Sequence, residues 1–308
     1  MQKIERRDFI RKSALFGAAA MIGTKGFSEG WNGFSKVDVA VVQGSNFLNN
    51  TFKAVEMLGG MKKIVSPGSK VGLLINAPAW WNKPGSFTNP ELVLATIKMC
   101  IDAGAGEIVY VINPATDYFN RTPKSGDLQK EIQFVKPNPG KWVTKDIPQG
   151  KSLKKAEINQ TLFDCDVIIN LPISKHHAGT NFSGNLKNMM GSTNHSTNQF
   201  FHKGSGASGD YDDVKFLSQC IADLNTVKKP VLSICDSTEF LLNNGPAGPG
   251  EIKKENKVVA GFDCVAVDSY CCTLHGLQPD QVQMIQFAHD HGIGQMDLKK
   301  LVIKEING

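Results

Sequence analysis

The chain has 308 residues, 41% of them hydrophobic and 20% charged, with a formal net charge of +5; this is the make-up of a globular protein with a substantial core, in one large domain or two coupled lobes. The charge does not point to nucleic acid. Lys3, Arg6, Arg7, Arg11, Lys12 and Lys25 outnumber Glu5 and Asp8 within the first 28 residues, which accounts for four of the five charges, and no basic stripe interleaved with aromatics remains elsewhere.

In chain order, Glu5-Arg6-Arg7-Asp8-Phe9-Ile10-Arg11-Lys12 precedes a weakly apolar segment, Ala14 to Gly23. The arginine pair, the Phe two residues on and the apolar run resemble a twin-arginine export signal. Residues 1–30 are therefore expected to be an address and a link, with the twin-arginine export machinery as a partner and the protein periplasmic or otherwise extracytoplasmic. Ten or so apolar residues are too few for a comfortable membrane span. No clean Ala-x-Ala site follows, so cleavage and N-terminal anchoring both stay open.

From residue 37 to 308 the pattern predicts one α/β domain, with a lobe boundary to be looked for near residue 150. Val37 to Gln43 reads as a first strand, Thr51 to Gly60 as a helix stopped by Gly59 and Gly60, and Lys70 to Asn76 as a second strand ending in Asn76. Asn89 and Pro90 form a cap and first turn for a helix with Val93, Ile97, Cys100 and Ile101 on one face. Glu107 to Ile112 is a third strand. Strand, helix and strand at these lengths argue for βαβ units in a parallel sheet. Residues 113–153 lack steady periodicity and read as an excursion over a sheet edge, with extended pieces at Glu131 to Val135 and Trp142 to Thr144. The aromatics Trp80, Trp81, Tyr118 and Phe119 read as ordinary packing first and as lining for a cleft second.

The stretch from Asp166 to Ser192 organises the rest. Its apolar run Val167 to Leu171, closed by Pro172, reads as a strand buried on both faces. Ser174, Lys175, His176, His177, Asn181, Ser183, Asn185, Lys187 and Asn188 follow, separated by Gly179, Gly184 and Gly191. Ligands of open α/β sheets bind beyond the carboxyl ends of strands, so a long polar loop here is where a site is expected. Further on, Gly204 to Gly209 satisfies G-x-G-x-x-G, yet the polar Asn194 to Lys203 before it supplies no strand; the segment reads as a flap. Asp212 to Asn225 is a helix, and Val231 to Cys235 a strand ending in Asp236.

Asn243 to Gly250 is a second Gly-rich loop, in which Gly245 and Gly248 expose backbone amides suited to an anion. Asp263 sits where an N-cap belongs. Asp268 lies inside an apolar helical turn and needs a cation, a lysine or backbone donors. Asp268, Cys271, Cys272 and His275 share a helix face at spacings compatible with metal ligation, but a packed helix explains them more simply. The seven cysteines contain no C-x-x-C, so an internal iron–sulfur motif has no support and they read as small buried hydrophobes; their odd number argues against a complete disulfide framework. Pro279 to His291 is a last helix.

Leu171-Pro172-x-x-Lys175-x-His177, Gly184-x-x-Lys187-Asn188-x-x-Gly191, the Asn-Gly-Pro segment within Asn243 to Gly250, and Ala260-Gly261-x-Asp263 through Asp268 resemble, in order and spacing, the domain-of-unknown-function family DUF362. The resemblance extends over nearly the whole chain from Val37 and implies no settled reaction. The segments it names are expected to converge at one rim of the sheet, and the residues there read as a site with Lys175, His177 and Lys187 as catalytic groups, Asn76, His176, Asn188, Gly245 and Gly248 around a small anionic ligand, and Asp236, Asp263 and Asp268 as candidate ligands of a divalent metal. Two functions stay open. One is a metal- or cofactor-dependent enzyme of redox type, with a redox partner protein; the other is a non-catalytic protein that binds an anion, metal or cofactor. The fold expectation is α/β, a mostly parallel sheet with helices on both faces.

Overall fold

The computed structural model describes residues 37–80, 82–121, 123–203 and 214–308. The expected export signal, Trp81 and the Gly204 to Gly209 segment lie outside the described residues. Those described belong to one compact unit, Ser35–Gly308.

The strands are β1 (Val39–Gln43), β2 (Lys70–Ile75), β3 (Glu107–Tyr110), β4 (Val135–Lys136), β7 (Val167–Leu171), β10 (Leu232–Leu241), β11 (Ile252–Gly261) and β12 (Ile303–Asn307), joined in one sheet in the order β12-β1-β11-β10-β7-β2-β3-β4. Only the pairs of β11 with β1 and with β10 are antiparallel; the others run parallel. The α/β, mostly parallel expectation therefore holds. Side chains alternate across a strand, and β2 and β7 show it: Val71, Leu73, Val167 and Ile169 enter one core, Leu74 and Ile168 the other. Helices α1 (Phe47–Met57) and α2 (Pro90–Asp102) cover the first face with Ala54, Val55, Val93 and Ile97. The second face is covered by α6 (Val214–Asn225), α7 (Cys264–Thr273) and α8 (Gln283–Asp290), through Leu217, Ile221, Val265 and Ile285.

Several boundaries differ from the sequence pattern, each for a visible reason. Helix α1 begins at Phe47, not Thr51, because Asn46 caps it by accepting the Asn49 N–H at 3.0 Å. Asn89 caps α2 as its Asn-Pro start predicts. Glu131 lies in 3-10 turns (Pro123–Phe134) rather than in an extended piece, and only Val135 and Lys136 join the sheet edge. Strands β5 (Trp142–Asp146) and β6 (Lys155–Asn159) form a separate antiparallel pair. Strand β10 continues through Asp236 to Leu241 instead of ending there, and β11, whose first half is Lys- and Glu-rich, pairs back along it. The α3 turn (Thr161–Asp164) leads into β7.

The polar stretch after Pro172 is not a structureless loop. It forms a hairpin, β8 (Lys175–His177) with β9 (Asn181–Ser183), then the short α4 (Asn185–Asn188) and a 3-10 turn (Met189–Ser192). Asn194 then starts α5 (His195–Lys203), its side chain accepting the Thr197 N–H at 2.9 Å. All seven cysteines are free and buried, in keeping with their reading as small hydrophobes. Among the described residues, no helix is long and apolar enough to cross a membrane.

Candidate functional site

The parallel strands β2 and β7 end at Ile75 and Leu171, paired residue to residue, and the chain beyond that rim builds the site. Asn76 follows β2 directly, its N–H bonded to the Leu171 carbonyl at 3.2 Å. Beyond β7, Ser174 is tied to β10 by its N–H to the Asp236 carbonyl at 2.9 Å and by a 2.9 Å contact between its hydroxyl and that of Ser237. The next residue is Lys175. Its side chain is fully buried, and its Nζ donates to the carbonyls of Ser86, in the loop before α2, and of Pro246 at 3.0 Å, in the loop between β10 and β11. One ammonium-bearing stem thus fastens two loops far apart in sequence. Burial first, then the Lys187 charge, holds it well below the ordinary lysine range.

Gly245 lies against the same hairpin. Its N–H donates to His176 Nδ1 at 3.1 Å, and its carbonyl accepts the Ala178 N–H at 3.1 Å. A Cβ at this position would stand 1.8 Å from the His176 carbonyl oxygen, so the approach requires glycine. His177 is buried, its Nδ1 accepts the Gly179 N–H at 3.0 Å, and its ring stacks on His202 of α5 with centroids 6.4 Å apart. An imidazole whose Nδ1 accepts a backbone N–H holds its own proton on Nε2. Both His176 and His177 are therefore set as neutral rings with an Nε2–H to donate. Burial pushes both below the usual histidine range; for His177 the Lys187, His202, Lys175 and His176 charges add to it, all of them basic. Lys187, on α4, is buried to 8% exposure and lies 3.4 Å from the Met190 sulfur.

What holds α4 in place is Asp268. One carboxylate oxygen accepts the Asn185 N–H at 2.7 Å and its side-chain amide at 2.8 Å, and the other accepts the Leu186 N–H at 2.9 Å. These are the orphan donors that a helix start leaves open. Asp236 does the same for α2: it accepts the Asn89 N–H at 2.7 Å, with Thr238 N–H at 2.9 Å and Thr238 hydroxyl at 2.7 Å on its other oxygen. Burial pushes both carboxyls up to about 6, against these hydrogen bonds. Asp263 caps α7, accepting Val265 and Ala266 N–H at 2.8 and 3.0 Å and Gln295 N–H at 2.7 Å.

The three aspartates put forward as metal ligands are thus engaged one by one with separate backbone segments, and a metal would have to displace those amides. Among the described residues no group of three His, Cys, Asp or Glu side chains stands close enough to hold a metal ion. The helix-face set Asp268, Cys271, Cys272 and His275 divides likewise: the Cys272 thiol donates to the Ser269 carbonyl at 3.3 Å, and His275 packs against the rings of Phe182 and Phe240. Gly248 is a turn glycine at φ +70°, its N–H bonded to the Asn244 carbonyl at 3.0 Å. Tyr118 is fully buried with its hydroxyl on the Thr88 carbonyl at 2.7 Å, and Phe119 packs on its ring, whereas Trp80 is 77% exposed.

The structure therefore brings together Lys175, His176, His177, Lys187 and Gly245, and joins Asn188 and Asn76 to them. Asn188 donates to the Leu74 carbonyl at 3.1 Å and to Asn170 Oδ1 at 2.7 Å, and accepts the Asn76 amide at 3.3 Å. Two members escape a reading by motif. Asn170 is a fully buried amide in β7, donating to the Asn185 carbonyl at 2.9 Å; a lone polar residue inside the run Val167 to Leu171 was its signal. His202 comes from a helix whose polar sequence offered no such sign.

Compared with known proteins, the chain is 27% identical over 232 residues to a thylakoid-associated protein of Synechocystis, an overlap of 73% of this chain and 68% of that one. Among solved structures, it resembles a structural-genomics target protein from Thermotoga maritima at a TM-score of 0.42 and 14% identity, covering 77% of this chain and 61% of that chain. It also resembles the lactate racemase apoprotein from Thermoanaerobacterium thermosaccharolyticum at a TM-score of 0.46 and 13% identity, covering 74% of this chain and 54% of that chain. The chain thus spans less than two thirds of the length of both solved proteins. The family profile described as Domain of unknown function (DUF362) matches residues 71–273, about two thirds of the sequence, and the chain belongs to that family.

Proposed function

We propose that this member of the family binds a small anion at the rim beyond β2 and β7, with Lys187, His177 and His176 as its donors. The observation that carries the reading is the convergence of Lys175, Lys187, His176, His177 and His202 in one partly desolvated cluster, where the basic groups lower one another's proton affinity. Like charges brought together in low dielectric are costly, and a bound anion offsets that cost. Binding would raise the proton affinity of the cluster and so be accompanied by proton uptake. The test is calorimetric titration of the full chain with inorganic phosphate and with small mono- and dicarboxylates, in two buffers of different ionisation enthalpy. Saturable binding with proton uptake, weakened at least about tenfold in Lys187→Ala by loss of a charged hydrogen bond, is expected. Absence of saturable binding by the wild type, or affinity untouched by that substitution, refutes the reading.

A catalytic role for the same site is favoured by Lys175. Burial and the neighbouring Lys187 charge lower this amine's affinity for its proton, which favours a role as a base. Deuterium uptake from D2O into a bound carbon acid, followed by NMR and lost in Lys175→Met, would show it; binding without exchange would leave a non-catalytic binding protein. We further propose export by the twin-arginine route, supported by Arg6, Arg7 and Phe9. Replacement of both arginines by lysine is expected to trap the precursor inside the cell, and normal export of that variant would remove the argument.

A further inference from the structure

Three asparagine amides run in series from the core to the site, and their orientations are fixed by partners that cannot reverse. The Asn170 amide nitrogen must face the Asn185 carbonyl, an acceptor only. Its Oδ1 is thereby turned to Asn188, whose nitrogen is fixed independently by the Leu74 carbonyl. Asn188 Oδ1 is then left as an acceptor, and it takes the Asn76 nitrogen. The series ends on Asn76 Oδ1, a buried acceptor without a hydrogen-bond donor. Flipping Asn76 would set two acceptors against each other, so the orphan atom is an oxygen and not an amide nitrogen.

Asn76 is linked to the anchor points of both lysines. Through Asn188 it is joined to the residue after Lys187. Through its own carbonyl, which accepts the Thr88 N–H at 2.9 Å, it is joined to the loop whose Ser86 carbonyl holds Lys175. A buried acceptor left unmet is costly, and the Asn76 side chain is bonded to the residue next to Lys187.

We infer that the anion taken by this site carries its own hydrogen-bond donor, a hydroxyl or an ammonium group next to the charged end, which Asn76 Oδ1 accepts. The inference rests on the anion-binding reading above. A site built around an unmet polar atom rejects the analogue that lacks the matching group more strongly than an apolar site rejects a missing methylene.

The test uses pairs of anions alike in charge and size that differ by one hydroxyl: tartronate against malonate, glycolate against acetate, and 2-hydroxyethyl phosphate against ethyl phosphate. Affinities are measured by calorimetry on the full chain, wild type and variants. In at least one pair the hydroxylated member should bind the wild type about tenfold tighter or more. Asn76→Ala should bring the two members to equal affinity through loss for the hydroxylated one. Asn76→Asp, which keeps the shape but adds a negative charge, should weaken both members. Thermal melts confirm that each variant is folded; if Asn76→Ala is not, the wild-type ratio and Asn76→Asp decide. Ratios near one for every pair in the wild type, or a ratio that survives Asn76→Ala, overturn the inference. Equal binding within each pair that is still lost in Lys187→Ala refutes the donor inference alone, whereas no saturable binding of any probe refutes the anion reading with it.

Discussion

Gly184 to Ala is the substitution that most directly probes how the site is held. A Cβ at Gly184 would lie 2.2 Å from Asp268 Oδ1, 2.9 Å from its Cγ and 2.9 Å from Phe182 Cε1. The carboxylate cannot step aside cheaply, because it is fully buried and accepts three hydrogen bonds from Asn185 and Leu186. Either α4 lifts away from α7, or Asp268 swings and leaves at least one backbone N–H unmet. Overpacking costs about 1–3 kcal/mol and an unmet buried donor about 1–3 kcal/mol, so the loss should be about 2–6 kcal/mol in urea unfolding. Lys187 and Asn188 ride on α4, so anion affinity should fall as well. Gly191→Ala is the control: its nearest neighbour is the Leu74 Cδ1 at 3.9 Å, and a change within about 0.5 kcal/mol is expected. A Gly184→Ala protein within about 0.5 kcal/mol of wild type would refute the claim that Asp268 is an immobile anchor.

Burial raises the carboxyls of Asp236 and Asp268 to about 6, above the unfolded value of 3.8, so the folded state holds more protons between those values. Their contribution to stability therefore falls as pH rises through that window, by about 2–3 kcal/mol per group, and is flat above it. Unfolding midpoints at pH 4, 5, 6 and 7 should show a shallower fall in Asp268→Asn than in wild type, and identical slopes would count against the assignment. Asp223 should behave with the opposite sign. Despite its burial, the N–H groups of Leu153, Lys151 and Ser152 and the Gln219 amide hold it below the usual carboxylate range, so its stabilisation is present near neutral pH and lost in acid. Asp223→Ala should cost about 2–4 kcal/mol at pH 7, because the Ser152 and Leu153 N–H groups lose their acceptor, and it should shrink the acid-side difference between the two proteins. Gly245→Ala, with 1.8 Å to the His176 carbonyl, should detach the loop between β10 and β11 from the hairpin and weaken anion binding more than it lowers the unfolding midpoint; an unchanged affinity would place that loop outside the site.

The sequence alone determined the features that depend on near neighbours. Apolar runs bounded by Gly, Pro and Asn marked β2, β3 and β7, and Asn89-Pro90 marked the start of α2, because side-chain period and capping are read within a few residues. The order and spacing of Lys175, His177, Gly184, Lys187 and Asn188 were legible for the same reason. Strands β11 and β12 were not, since charged residues such as Lys253, Lys254 and Glu255 gain strand conformation from pairing with β10 and β1, not from an apolar pattern of their own. The roles of the aspartates were decided only by the tertiary structure. A carboxylate inside an apolar turn looks the same in sequence whatever it meets, and the backbone donors that Asp268 and Asp236 accept lie 83 and 147 residues away. The series Asn170, Asn188 and Asn76 likewise spans 112 residues, and a hydrogen-bond direction exists only once the backbone carbonyls that impose it are in place.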